Sequence, residues 1–281
     1  MNDESVDFSA PTLVIQPPRG WIPIDFRELW NYRELIYFFV WRDIKVRYKQ
    51  TALGAAWAII QPFVTMIVFS IFFGKLAKMP SDGIPYPIFT YCALLPWNYF
   101  SGAVTRASNS TVQGANLIRK IYFPRLATPL SATVSGLVDF AIAFSVLIAM
   151  MFYYKFTPKV TLLWLPGFML MAVATALGVG LWLSAMNVKY RDIGHVIPFM
   201  TRLWFFITPV VYPTSLLKGF WRFVYNLNPM VSVVEGFRWA MLGKGQQPGW
   251  MLGMSAAIVL FILVSGAFYF RRMEQTFADV I

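Results

Sequence analysis

Four cations crowd one short stretch, Arg42, Lys45, Arg47 and Lys49, within Trp41-Arg-Asp-Ile-Lys-Val-Arg-Tyr-Lys-Gln-Thr51. Guanidinium and ammonium groups gathered in this way bind phosphate or carboxylate, Arg through a planar fork and Lys as a point charge. Chemistry beyond anion binding is thinly equipped. With one His and one Cys, neither a metal cluster nor an internal disulfide is available. No Ser or Cys motif lies near His195, which reads as a loop residue. Asp139 interrupts an otherwise apolar run. A carboxyl there is costly, and it marks either a hydrogen-bonded tie between helices or a functional group. An enzyme working in the same apolar medium would need paired acids or a Ser-His pair, and neither is present.

The elements that carry these residues follow from composition. The chain is 58% hydrophobic and only 13% charged, too apolar for one water-soluble core to hide. Uncharged windows of the length that crosses ~30 Å of hydrocarbon recur at 53–73, 84–104, 126–154, 160–186 and 250–270, with an interrupted one at 196–217. The expectation is an all-α membrane protein with six transmembrane helices. The net charge of +11 does not point to nucleic acid, because the cations lie between apolar spans rather than on a soluble face. Their distribution, sixteen Lys and Arg on one side against eight on the other, places both termini in the cytoplasm.

Three regions follow. Residues 1–24 hold four prolines with acids and small polars and read as a mobile leader without a cleavable signal. Residues 25–50 read as a cytoplasmic interfacial amphipathic helix: Arg27, Asn31, Glu34, Arg42, Lys45 and Lys49 share a stripe at helical spacing, interrupted only by Phe38. Arg33 and Arg47 break its apolar side, either snorkelling to lipid phosphates or approaching a partner subunit or an anionic head group. Residues 51–281 form the six-helix transmembrane domain.

Within that domain, Pro62 predicts a kink in the first span and Pro96 stands beside an aromatic cluster in the second. The loop after the second span contains Asn116, Leu117, Ile118, Arg119, Lys120, Ile121, Tyr122 and Phe123, closed by Pro124. A short amphipathic helix fits it, either as a capped connector or as a knob that docks on a soluble partner. Gly178 and Gly180 in the fourth span permit close helix contact. After Thr208-Pro209 and Tyr212-Pro213 the pattern predicts a re-entrant helical hairpin between helices 5 and 6, which is tolerated only where protein or a water-filled cavity covers it.

These landmarks together resemble the membrane subunit of ABC-2 type exporters, specifically the polysaccharide and lipopolysaccharide O-antigen export permeases. The residues that carry the resemblance are 41–51 quoted above, Leu53-Gly54, Trp57, Gln61-Pro62, Leu95-Pro96-Trp97, 116–125, Tyr190-Arg191-Asp192, Thr208-Pro209-Val-Val-Tyr212-Pro213, Asn228-Pro229 and Glu235-Gly236-Phe237-Arg238-Trp239. The resemblance implies the ABC-2 type exporter fold and a homodimer paired with two copies of a separate ATPase subunit. The complex would move a polyprenyl-diphosphate-linked glycan out of the cytoplasm across a bacterial inner membrane. The alternative cargo is capsule, teichoic acid, a lipid or a drug. No Gly-x-x-x-x-Gly-Lys-Ser/Thr occurs, so ATP and Mg would be bound by the partner ATPase and this chain would carry no cofactor or catalytic residue of its own.

By the same resemblance, residues 116–123 would be the coupling helix seated in the ATPase. Arg42, Lys45, Arg47 and Lys49 would gather the lipid diphosphate. Sugar rings have apolar CH faces that aromatic walls accommodate, and the candidates for that wall are Phe63, Phe69, Trp97, Tyr99, Trp204, Phe205, Phe206 and Tyr212.

Overall fold

In a medium without water, a backbone must satisfy its own hydrogen bonds, and a long apolar run does so as a helix. The computed structural model of the chain describes residues 26–49, 54–190, 192–217, 219–243 and 249–277, and every regular element among them is helical. The leader at 1–24 lies outside the described residues. In order, the helices are α1 (Phe26–Asn31), α2 (Arg33–Lys49), α3 (Ala56–Phe69), α4 (Tyr86–Gln113), α5 (Ala115–Ile118), α6 (Ala127–Tyr153), α7 (Leu165–Lys189), α8 (Ile193–Phe206), α9 (Phe220–Asn226), α10 (Pro229–Leu242) and α11 (Trp250–Glu274). A π-helical stretch, Ser70–Leu76, prolongs α3, and a 3-10 turn, Val160–Trp164, leads into α7.

Among the described residues, four helical stretches are long and apolar enough to cross a membrane: Ala56–Leu76, Ala127–Tyr153, Val160–Lys189 and Trp250–Glu274. They coincide with the expected windows at 53–73, 126–154, 160–186 and 250–270. The remaining two windows are helical but differ in kind. At 84–104 lies α4, which carries Thr90, Asn98, Ser101, Thr105 and Ser108 on to Gln113. Its polarity is sheltered: every residue from Ile88 to Trp97 is buried, and α6, α7, α10 and α3 all pack on it. At 196–217, α8 stops at Phe206, and the chain turns through 207–213 before two short helices.

Local chemistry explains several of these boundaries. Asn228 caps α10 by accepting from the Met230 amide at 3.1 Å, Pro229 occupies its first position, and Gly243 closes it at φ 64°. Helix α3 runs through Pro62.

Arg27 and Asn31 of α1 and Glu34, Phe38, Arg42, Lys45 and Lys49 of α2 are exposed, as are the apolar Trp30, Tyr37, Trp41 and Val46, and α2 packs along α6. Close packing elsewhere rests on glycine. A Cβ at Gly178 would stand 2.8 Å from the Leu263 backbone of α11. By contrast, a Cβ at Gly253, also on α11, would meet nothing within 4 Å. Gly178→Ala should therefore lower thermal stability in detergent by the roughly 1–3 kcal/mol of an overpacked contact. Gly253→Ala should leave it unchanged or raise it, by up to about 1 kcal/mol of helix propensity. Melting curves of the two variants check the opposite signs.

Candidate functional site

A polar constellation gathers where α2, α3, α4 and α6 meet. Asp139 of α6 is its centre. Arg47 Nη1 donates to Asp139 Oδ2, and the Tyr48 hydroxyl donates to Oδ1. Arg106 of α4 places Nη1 3.9 Å from Oδ2. The outer shell is also made: Arg47 Nη2 donates to Ser135 Oγ at 3.3 Å, and Arg106 Nε to the Ala132 carbonyl at 3.3 Å. Gly136 lets the Arg106 guanidinium lie flat on α6, since a Cβ there would fall on it. Burial, followed by the hydrogen bond to Asp139, pushes the Tyr48 hydroxyl up to about 12, so it stays a proton donor.

This cluster borders a cavity of about 570 Å³. Its lining mixes polar groups, Gln61, Asn98, Ser101 and the charged side chains, with apolar ones, Trp57, Leu95, Phe140 and Ala143. Among the described lining residues the charges are Arg47, Arg106 and Asp139, leaving one net positive charge. Such a chamber can hold an anion against guanidinium forks while an apolar or sugar portion rests on aromatic rings.

The four cations expected to act together are separated. Arg42, Lys45 and Lys49 are exposed. Arg42 pairs with Asp43 at 2.8 Å and covers the Phe39 ring, and Lys45 sits 4.2 Å above the Trp41 ring. Arg47 alone of the four turns into the cavity.

The aromatic candidates divide in the same way. Tyr99 lines the cavity and donates to the Thr133 carbonyl. Phe69, Trp97, Trp204 and Phe205, with Phe100, form a packed chain of rings joining α3, α4 and α8. Phe63 and Phe206 face outward, and the Tyr212 hydroxyl bonds the Phe206 carbonyl and Tyr225. Sequence reasoning missed Arg106, Gln61 and Asn98. A readable signal existed for Arg106: Tyr99, Gly102 and Arg106 recur at helical spacing on one face of α4, as Gly136, Asp139, Phe140 and Ala143 do on α6.

The loop candidates form a second site. Only Ala115–Ile118 is helical there, as α5; the chain then turns. Asn116, Arg119, Lys120, Ile121 and Tyr122 are exposed, Leu117 and Ile118 half-buried. Phe123 points inward, 3% exposed, edge-on to Phe39 of α2. Tyr122 donates to Glu28 at 3.1 Å, Glu28 pairs with Arg271 of α11, and Arg271 pairs with Glu274. The Arg125 guanidinium donates to the Glu274 carbonyl. The hydrogen bond to Glu28 is the main cause holding the Tyr122 hydroxyl above its ordinary range.

A third cluster fixes the connection after α8. Arg238, 1% exposed, donates to the Pro209 carbonyl at 2.7 Å, to Val210 at 2.7 Å and to Glu235 at 2.7 Å, with its guanidinium 3.6 Å from the Phe89 ring. Tyr86 donates to the Val211 carbonyl, and Asn228 links Trp204 to Thr208. The sequence offered only the i, i+3 pairing of Glu235 with Arg238 as a hint of this clamp.

Comparison with known proteins gives a consistent set. Residues 34–242 match the ABC-2 type transporter family. The O-antigen export system permease protein RfbA of Myxococcus xanthus is 29% identical over 258 residues, covering 91% of this chain and 98% of that protein. A protein of the same name from Klebsiella pneumoniae is 26% identical over 254 residues, covering 88% and 95%. The polysialic acid transport protein KpsM of Escherichia coli is 24% identical over 245 residues, covering 83% and 91%.

The Arg238 clamp yields a stability test. Arg238→Met leaves Glu235 and several carbonyls without their donor, which costs about 3–5 kcal/mol for a broken buried pair. Thermal melting should show a large loss, and Glu235→Leu combined with Arg238→Met should recover part of it. An unchanged melting temperature in the single variant would refute the clamp.

Proposed function

The chain belongs to the ABC-2 type transporter family, and we propose that it is the membrane-spanning subunit of an ATP-driven exporter of polyprenyl-diphosphate-linked polysaccharide of the O-antigen kind. The cargo leaves the cytoplasm across the bacterial inner membrane. The observation that carries this reading is the cavity, whose guanidiniums and aromatic wall suit a phosphate-bearing sugar carrier. The named relatives, two O-antigen permeases and a polysialic acid transporter, support a glycan as cargo. Capsule-type glycans belong to the same proposal.

Six spans suit this role. Helix α4, with 28 residues, reaches about 42 Å at 1.5 Å per residue, enough for the hydrocarbon core, and its polar groups are covered by neighbours. Helix α8, with 14 residues, reaches only about 21 Å, and the clamped turn at 207–213 completes the fifth span. The short α9 and α10 then make the re-entrant hairpin. Both termini face the cytoplasm, where Lys and Arg concentrate.

Two copies of the chain pair with two copies of an ATPase subunit that binds ATP and Mg. The exposed Ile121 and Tyr122 provide the apolar tip that docks on the ATPase, while Phe123 anchors the tip to α2. The exposed cations Arg42, Lys45 and Lys49 gather anionic carriers at the inner membrane surface.

Co-expression with the ATPase should yield a four-subunit complex that hydrolyses ATP and exports the glycan. Ile121→Glu with Tyr122→Glu should cut ATPase stimulation and export at least tenfold, the loss of about 1.4 kcal/mol of docking. Arg42→Gln, Lys45→Gln and Lys49→Gln together should lower export while leaving assembly intact. Restoration of drug resistance but not of surface glycan in exporter-deficient strains would overturn the glycan reading.

A further inference from the structure

This inference rests on the export reading and names the part of the cavity that takes the substrate's phosphates. The charges there are unbalanced. Arg47 and Arg106 share one carboxylate, Asp139, and no other charged residue lines the cavity among the described residues. Arg106 stays 3.9 Å from that carboxylate, beyond hydrogen-bond length, so its fork is engaged only in part. The three side chains keep 27%, 29% and 29% exposure beside a cavity of about 570 Å³.

The geometry points to a diphosphate-binding site in which phosphate oxygens take the place of the Asp139 carboxylate between the Arg47 and Arg106 guanidiniums. Asp139 is then a resident stand-in anion. It holds the forks in place while the site is empty and competes with the incoming ligand.

The charge count favours exchange. A diphosphate esterified at both ends carries one negative charge on each phosphate, matching the two guanidiniums one to one, with the Nη1 groups that face Asp139 as the donors. Leaving Asp139 in place would add a third negative charge, so the carboxylate must yield. Gln61 and Asn98 offer amide donors beside the phosphates, and Trp57 and Phe140 offer apolar surface for what the phosphates carry.

Exchange also has a mechanical consequence. Arg47 and Tyr48 both hold α2 to α6 through Asp139. A ligand that displaces Asp139 loosens that end of α2 as it binds, so occupancy and opening of the cavity are coupled through one carboxylate.

Binding of labelled polyprenyl diphosphate to the four-subunit complex in phosphatidylcholine nanodiscs tests the site, with inorganic pyrophosphate as a parallel probe. Asp139→Asn, which keeps the shape and removes the competing charge, should bind the polyprenyl diphosphate about tenfold more tightly, and Arg47→Gln and Arg106→Gln each about tenfold more weakly. A tie that is merely structural predicts the opposite or no effect for Asp139→Asn. Equal ranking with pyrophosphate assigns recognition to the diphosphate itself; ranking only with the polyprenyl form assigns it to a lipid-borne diphosphate, and either supports the site.

Should Asp139→Asn fail to fold, Arg106→Lys carries the test, because it keeps the charge and loses the fork; undiminished affinity there overturns the site. Wild-type export together with unchanged affinity across all variants overturns the site and leaves the export reading standing. A wild-type complex that exports no diphosphate-linked glycan removes the reading on which the site rests.

Discussion

An ionised side chain surrounded by apolar helices must be paired, and this chain is arranged around two such pairs. Asp139 of α6 draws Arg47 and Tyr48 from α2 and Arg106 from α4. Glu235 and Arg238 of α10 draw in the carbonyls of Pro209, Val210 and Tyr212 and the face of Phe89 on α4. Asp139 and its donors lie far apart in sequence, as do Arg238 and the groups it reaches beyond α10, so satisfying one charge brings separate segments together. Helix α4 contributes to both clusters, which accounts for its unusual character as a polar helix enclosed by apolar ones.

Much of the bundle was legible in the sequence, because uncharged runs of spanning length have few alternatives. The runs that became α3, α6, α7 and α11 were read within a few residues of their ends. Reading α4 and α8 was harder, for opposite reasons. Helix α4 is long enough but is covered by protein, so hydropathy does not record its environment. Helix α8 is apolar but stops at Phe206, where Thr208-Pro209 and the Arg238 clamp take the backbone out of helical geometry.

The candidate site was half-visible. Asp139 stood out as a charge in an apolar run, and Arg47 as a cation on the wrong face of its helix. That they belong to each other could not be read, because 92 positions separate them and a single sequence gives no pairing signal. Arg106 falls just beyond the apolar window at 84–104, which hides its place on a spanning helix, although α4 continues past it to Gln113. Phe123 was read with its exposed neighbours Ile121 and Tyr122, yet a turn after α5 reverses its direction and buries it on Phe39.

The two ion pairs differ in the property that decides whether a pair can be exchanged. Arg238 is sealed at 1% exposure, and carbonyls, Glu235 and a ring occupy its fork, so any competitor would have to supply all of these at once. Arg47 and Asp139 keep 27% and 29% exposure and open on a cavity, where an anion can approach before the carboxylate leaves. Stepwise exchange spares the two guanidiniums the several kcal/mol of an uncompensated buried charge, because at no point is either left bare. The same chemistry thus serves two ends: closed off from ligand it fixes a turn, and set beside a chamber it leaves a helix that can be released.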